Sequence, residues 1–309
     1  MTKHPSHPSQ GWEGIKKGAA VMKNGITINP KGFHRDQIKF YCILIPLAVF
    51  MALPIVYIIS HAFKPISELY AFPPKFFTLN PKLDNFKNLG KVAEGSIVSV
   101  GRYAFNSFLV TALVVVANVL VGSMAGFALS KLDFKGKNLI FELNTLSMMF
   151  VPAAMLIPRY LIIDKIGIMD TYFAHILPLL AMPVGMFLVK QFIDQVPNEL
   201  MDAAAIDGAN KFTIYSRIIL PLIKPAAATV CILSFQQVWT NMETSNMFTT
   251  RESMRTLAFY MNTLITTNNT VAGQGIAAAA SLIMFLPNII LFIILQSSVM
   301  NTMAHSGIK

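Results

Sequence analysis

Two groups of polar residues stand where this chain could act on something other than itself. The first is the stretch ELMDAAAIDGANKFTIYSRIILPLIKP, residues 199–225. In it Glu199, Asp202 and Asp207 flank the run Ala203, Ala204 and Ala205, and Gly208 leads on to Ile218, Leu220 and Pro221. Small side chains between acids make a contact surface rather than a catalyst: three alanines leave a slim face able to enter a cleft, and the charges orient it. The second group lies in residues 234–248, where Gln236, Gln237, Trp239 and Asn241 offer three amides and an indole within six residues. Amides exchange hydrogen bonds with hydroxyls, and an aromatic face packs on C–H groups, so this set suits passage of a sugar. It suits equally an interfacial tryptophan anchor beside glutamines that tie helices together. On a helix Gln236 pairs with Trp239, and Gln237 with Asn241, so one pair is expected to face a path and the other to support packing. Met148, Met149, Met182 and Met186 read as adaptable packing or as pore lining.

The chemistry that is missing narrows the function. No G-x-x-x-x-G-K-[ST] phosphate loop occurs, so any nucleotide hydrolysis by that device belongs to another chain. H-E-x-x-H and G-x-S-x-G are also absent, and the carboxylate within an apolar run, Glu142, lies near its end. An intramembrane hydrolase, or a proton-coupled carrier with ionisable groups at mid-membrane, is disfavoured on this ground. Cys42 and Cys231 fall in apolar runs, without metal spacing, and are expected to be small buried residues. His4, His7 and His34 are too scattered for a metal site.

Composition supplies the elements that must position these residues. The 309 residues are 54% hydrophobic and 13% charged, with mean hydropathy +0.55, too apolar for a soluble domain. Windows at about 40–62, 103–130, 140–163, 171–189, 219–240 and 277–300 each approach the ~20 residues that cross a bilayer. The expectation is an all-α, multi-pass membrane protein of six transmembrane helices. Residues 1–38 form a cytoplasmic N-terminal tail, 39–300 the membrane domain with an inner loop at 190–218, and 301–309 a cytoplasmic C-terminal tail. With the N-terminus inside, inner segments hold fourteen Lys and Arg against nine in outer ones, which places both termini in the cytoplasm and 241–276 outside. The net charge of +10 then suits anionic lipid headgroups next to the spans rather than nucleic acid. Within 199–217, Asn198 is expected to cap a short helix with Glu199 and Asp202 in its first turn. Gly208 makes a sharp turn, and Lys211 to Arg217 form a second helix. Gly122 and Gly126, a G-x-x-x-G pair, point to close helix packing within the chain.

The spaced pattern Asp202-Ala203-Ala204, then Gly208, then nine residues, then Ile218, Leu220 and Pro221 resembles the signature of binding-protein-dependent ABC importer permeases. IDGA at 206–209 and LPLIKPA at 220–226 are similar to the oligosaccharide type, in particular the shorter of its paired subunits, like the second maltose permease protein. Phe63-Lys64-Pro65, Glu68, Pro73-Pro74, Asn85-Phe86, Asp133 to Lys137 and Lys165 to Thr171 fit other parts of that family. The resemblance implies a fold of the MetI-like type I importer class and residues 199–217 as the element that docks a separate ATPase. It implies a second homologous permease, two ATP-binding subunits, an extracellular solute-binding protein and a saccharide substrate. This chain would be no enzyme and bind no cofactor, ATP and Mg2+ residing on the partner ATPases. Asp202 stands where Glu is usual, and the last nine residues lack the common ending. A non-transporting scaffold or a channel subunit is the alternative.

Overall fold

The computed structural model describes residues 37–94, 98–267 and 270–306, and among these the chain is helical, without strands. The chain divides into two units, Met1–Ile55 and Val56–Lys309. Residues 1–36 of the expected N-terminal tail lie outside the described residues. What is described of the first unit is the beginning of helix α1 (Gln37–Ala62), which continues unbroken through Pro46 and Pro54 and exposes its most apolar stretch entirely. Cys42 sits on that exposed surface and Cys231 is half-buried, so the expected burial of both cysteines is corrected.

The second unit holds α2 (Asp84–Glu94), α3 (Val100–Lys131), α4 (Lys137–Ser147), α5 (Leu156–Ile166), α6 (Tyr172–Leu180) and α7 (Pro183–Asp194). It continues with α8 (Glu199–Ile206), α9 (Lys211–Leu222), α10 (Lys224–Trp239), α11 (Glu243–Met247), α12 (Leu257–Thr267) and α13 (Val271–Ser306). The axis is α3. Its Arg and Lys lie at its ends, and Lys131 falls in the last turn, where a cation meets the helix dipole favourably. Ser107, Thr111, Val114 and Asn118 recur at steps of four, three and four, the spacing of one helix face, and all four are buried. Phe108, Leu113, Val116 and Leu120 cover the outside. Along this axis pack α7 and α10, with α6 and α12 also against it, while α13 lies on α10, α12 and α2.

Among the described residues, three helices are long and apolar enough to cross a membrane, and up to six spans result if each bent pair of helices counts as one. The windows at 140–163, 171–189 and 219–240 are therefore not single helices, as expected from hydropathy. They break with bends of 108° between Lys137–Ser147 and Pro152–Ile166, 44° between α6 and α7, and 77° after α9. Proline explains the positions: Pro152, Pro183 and Pro225 each stand in the first turn of the second half, where a missing N–H costs least and φ is already helical. The first residues of the 219–240 window belong to α9, and residues 190–194 of the expected inner loop belong to α7. The segment 241–276 is likewise no plain loop, since it contains α11, α12 and the start of α13. The helix α13 extends to Ser306, so the tail expected from 301 is helical up to that residue.

Of the glycine pair, one member is the close contact. A Cβ on Gly126 meets Val189 Cγ1 at 2.9 Å and the Lys190 backbone nitrogen at 3.2 Å, so α3 and α7 touch there; nothing lies within 4 Å of one on Gly122. At the far end of α3, the turn between α5 and α6 is fastened to the segment after α11. Asp170 accepts from the Thr250 amide at 2.6 Å, the Arg251 amide at 2.9 Å and the Thr250 hydroxyl. Its backbone takes φ 57°, a conformation that aspartate tolerates better than most residues. The Thr250 hydroxyl and the Arg251 amide hold its carboxyl below the usual carboxylate value.

Two outcomes follow. Gly126→Val is expected to destabilise the purified protein by about 1–3 kcal/mol, because backbone blocks the added methyls, whereas Gly122→Val leaves folding near wild type; thermal unfolding in detergent measures both. Because the Asp170 pKa is lowered on folding, its contribution is complete above the unfolded value of about 3.9 and disappears as pH falls through the folded one. Melting temperatures from pH 6 to pH 3 should therefore fall more steeply for wild type than for Asp170→Asn, and parallel curves would contradict this.

Candidate functional site

Residues 196–222 form a compact helical corner. Glu199 and Asp202 occupy the first turn of α8. Gly208 then turns the chain at φ 83°, a left-handed value that suits glycine. Asn210 caps α9 by accepting from the Thr213 amide at 2.8 Å and the Thr213 hydroxyl at 3.0 Å, the usual role of a residue of this type at a helix start. The expected cap at Asn198 is corrected: its φ and ψ are already helical, and it makes no capping bond. Its Oδ1 instead accepts from Lys131 Nζ at 2.8 Å, and the same ammonium donates to the Val196 carbonyl at 2.5 Å. A charged donor forms the stronger bond, which accounts for the exchange. The second helix does not stop at Arg217 as expected. It passes through a π turn at Tyr215–Ile219 and continues to Leu222.

The three alanines do not share one face, because successive residues on a helix turn by about 100°. Ala204 packs inward with Met201 and Ala209 against a cluster that includes Phe127, Val189, Ile193, Ile214, Tyr215 and Ile219. Ala203 and Ala205 face outward, as do Glu199, Asp202, Asp207 and Gly208. Beside them Ile206 is 86% and Phe212 68% exposed. Ile218 and Leu220 are half-buried and Pro221 is exposed, so these three shape α9 rather than the outward face of α8. The corner is held from behind. The Tyr215 hydroxyl and Ser123 Oγ are 2.7 Å apart in the core, and Asp194 accepts from Ser130 at 2.6 Å and Lys190 at 2.7 Å.

The amide and indole group of α10 divides differently from its expected pairs. Trp239 stacks on Phe235, with ring centroids 5.6 Å apart, and its Nε1 donates to the Met284 carbonyl at 3.0 Å, so it is a fixed joint between α10 and α13. Asn241 lies past the end of α10, where helical spacing no longer applies, and accepts from the Thr244 amide at 3.0 Å to start α11. The side chains of Gln236 and Gln237 stay exposed. Each expected pair therefore holds one tied and one open residue.

Gln237 lines a groove of about 290 Å³ with Leu233 and residues 181–184, the break between α6 and α7. On the other side of that break, Asn118, Gly122, Asn144, Met182 and Met186 line a second groove of about 250 Å³. Asn118 donates to the Leu179 carbonyl at 3.1 Å and Asn144 to the Pro183 carbonyl at 3.2 Å. The Asn118 bond satisfies a carbonyl that the break orphans, because the residue four further on is Pro183, which has no N–H, while the Asn144 bond adds to a carbonyl at the start of α7 and ties α4 to it. Sequence reading missed both asparagines; the signal was there, as single amides in apolar runs and prolines at 178 and 183 around Ala181-Met182. Met182 and Met186 thus line a groove, while Met148 and Met149 are exposed at the bend after α4.

At the end of α3 away from the corner, a fully buried His175 bonds Thr244 Oγ1 at 2.8 Å and the Met254 carbonyl at 3.0 Å. Asn106 donates to the Ser253 and Arg255 carbonyls, each at 2.9 Å, and accepts from the Tyr172 hydroxyl at 2.9 Å. Arg159 on α5 pairs with Glu243 on α11. Before α3, Glu68 accepts from Thr78 Oγ1 at 3.0 Å and from the Leu79 and Asn80 amides, each at 3.2 Å, which shapes the loop after α1.

Residues 118–299 match the family described as binding-protein-dependent transport system inner membrane component. The arabinooligosaccharides transport system permease protein AraQ of Halalkalibacterium halodurans is 31% identical over 85% of this chain and 93% of its own. The melibiose/raffinose/stachyose import permease protein MelC of Bacillus subtilis is 28% identical over 73% of this chain and 81% of its own. Among solved structures, a chain of a bacterial ABC transporter involved in the import of the acidic polysaccharide alginate superposes with TM-score 0.73 at 20% identity. That match covers 87% of this chain and 99% of the other, and it shows a common fold. With the family matched over more than half of its length and a relative 31% identical over 85% of it, the chain belongs to the binding-protein-dependent inner membrane components, the permease subunits of ABC importers.

Proposed function

We propose that this chain is a permease subunit of an ATP-driven importer that carries a saccharide, in particular an oligosaccharide, from an extracellular solute-binding protein into the cytoplasm. The observation that carries the proposal is the corner at 196–222. Its outward face of Ala203, Ala205, Ile206 and Phe212 is left open by the described residues, while its inner face is joined to α3 through Lys131 and Tyr215. An element open on one side and fastened on the other suits a mechanical coupling. A separate ATPase would dock on the open side, and its closure would move α8 and α9 as one body with α3 and α7. The acids Glu199, Asp202 and Asp207 orient that contact.

The rest of the assembly is a second homologous permease and two ATP-binding subunits, which hold ATP and Mg2+. Both termini lie in the cytoplasm and the chain is embedded in the cell membrane. The names of the relatives support a saccharide as cargo, and the open amides of Gln236 and Gln237 beside the α6–α7 break suit its hydroxyls. Alternating access requires that ATP and the loaded binding protein each favour one state of the membrane domain over the other.

ATP-dependent saccharide uptake by the whole complex in vesicles tests this reading directly; a scaffold or a channel would show none that requires ATP. Ala203→Trp is expected to abolish co-purification of the ATPase and uptake while the permease folds normally. By contrast Ala204→Trp overfills the chain's own core and lowers its melting temperature by roughly the equivalent of 1–3 kcal/mol. Equal effects of the two would contradict the assigned faces. For topology, Ala205→Cys in a background of Cys42→Ala and Cys231→Ala should react with a membrane-impermeant thiol reagent only in inside-out vesicles. Labelling in sealed, right-side-out cells would reverse the orientation.

A further inference from the structure

We propose that the cavity between α12, α13 and the end of α10 is a binding station for a neutral sugar at the outer mouth of the path, with Asn262 and Asn288 as its hydrogen-bonding groups. The proposal rests on the importer reading above and says where the cargo meets this chain. The cavity measures about 290 Å³, close to the ~300 Å³ lower bound of small-molecule sites and suited to one sugar ring.

Two helical stripes build it. Positions 258, 261, 262 and 265 of α12 face positions 281, 284, 285 and 288 of α13, each set spaced as one face of a helix. The facing stripes carry Asn262 on one side and Ser281 and Asn288 on the other, with Thr240 from the end of α10. Their bonding is incomplete. The Thr240 hydroxyl donates to the Gln236 carbonyl at 2.7 Å, and the Asn288 amide makes one long bond of 3.4 Å to the Met284 carbonyl. Among the described residues, the Asn262 amide and the Ser281 hydroxyl have no hydrogen-bond partner.

Open amides facing hydrocarbon would be costly, so such a lining belongs to a space that holds water or a hydroxyl-bearing solute. Phe285 and Met261 supply apolar surface for the C–H face of a sugar ring. Among the described residues, no Lys, Arg, Asp or Glu lines the cavity. A uronic acid would find no counter-charge there, and a neutral sugar needs none. The helix α12, with apolar residues Leu257–Thr266, is too short to cross a bilayer; with 241–276 outside, it dips into the outer half, where a solute leaving an extracellular carrier arrives. Trp239, bonded to the Met284 carbonyl, fixes the α13 wall beside the cavity and is a positioning residue.

The test uses the assembled transporter with raffinose, arabinotriose and trehalose as neutral probes and an alginate trisaccharide as the acidic one. Wild type is expected to take up a neutral sugar in preference to the acidic one. Asn262→Ala and Asn288→Ala should each raise KM about tenfold at unchanged maximal rate and subunit stoichiometry, with Asn262→Gln recovering part of the loss. Asn262→Cys, lacking the native cysteines, should react with a water-soluble methanethiosulfonate in the whole complex, and the transported sugar should slow that reaction. Unchanged KM in both alanine variants overturns the proposal. So does labelling by lipid-soluble maleimide alone, which makes the face lipid-exposed, or labelling only after the second permease is removed, which makes it a subunit interface. Preference for the acidic sugar overturns it as well. Failure of the unsubstituted complex to take up any sugar refutes the importer reading instead, and sugar protection of Cys-substituted position 262 then decides the site alone.

Discussion

A bilayer interior offers no water to unpaired peptide groups, so every break in a helix within it must be closed by a side chain or opened onto an aqueous space. The rest of this structure depends on that constraint. Three of its apolar windows are broken at prolines, and around the break between α6 and α7 the chain brings Asn118 and Asn144 onto the Leu179 and Pro183 carbonyls. The Asn118 amide closes the Leu179 carbonyl, for which Pro183 offers no N–H, and the Asn144 amide ties α4 to the first residue of α7. The two grooves along the break, one ending at Gln237, are the other half of the same solution.

The two ends of the domain are held by different physics. At the end near Asp170 and His175, polar side chains and backbone groups interlock through several hydrogen bonds, the Asp170 carboxylate among them, and the Arg159 and Glu243 charges join α5 to α11. Its buried members, such as the His175–Thr244 bond, resist deformation because breaking them strands a buried polar group. The end near α8 relies on a nonpolar cluster of Phe127, Ile193, Ile214, Tyr215 and Ile219, reinforced at its margin by the Lys131 ammonium. Each of those large side chains is worth about 1.5–3 kcal/mol against exposure to water, while contact among them has no fixed direction. The corner is thus bound chiefly by burial, and the Ser123–Tyr215 and Lys131–Asn198 bonds fix it to α3 so that the two move together.

Much of this was readable from residue order alone. Hydropathy located the apolar segments, and the acid-flanked alanine run with Gly208 marked the corner, since only a surface element would interrupt such a chain there. The positive φ at Gly208 follows from the same local chemistry. What eluded the sequence depended on tertiary partners. Asn198 has the right type for a cap, but Lys131, distant in sequence, claims its oxygen. Hydropathy averages across a window and cannot show that Pro152, Pro183 and Pro225 turn single runs into bent pairs. The face of Ala204 and the role of Trp239 were decided by which neighbours each met, Ile193 and its cluster in one case and the Met284 carbonyl in the other. Asn262 was hidden inside what sequence alone presented as an outer loop.

The length of α3 gives its end contacts a geometric consequence. The helix has 32 residues. At a rise of about 1.5 Å per residue it therefore extends about 48 Å. Lys131 grips the corner at one end, and Asn106 and Ser107 are bonded to the segment 253–257 near the other. The close approach of Gly126 to Val189 lies nearer the Lys131 end. Treated as a rigid beam pivoting at its midpoint, α3 turns a tilt of about 10° into a displacement of about 4 Å at each tip, in opposite directions. A fulcrum nearer Gly126 makes the arms unequal, so a small stroke at the corner becomes a larger sweep at the far tip.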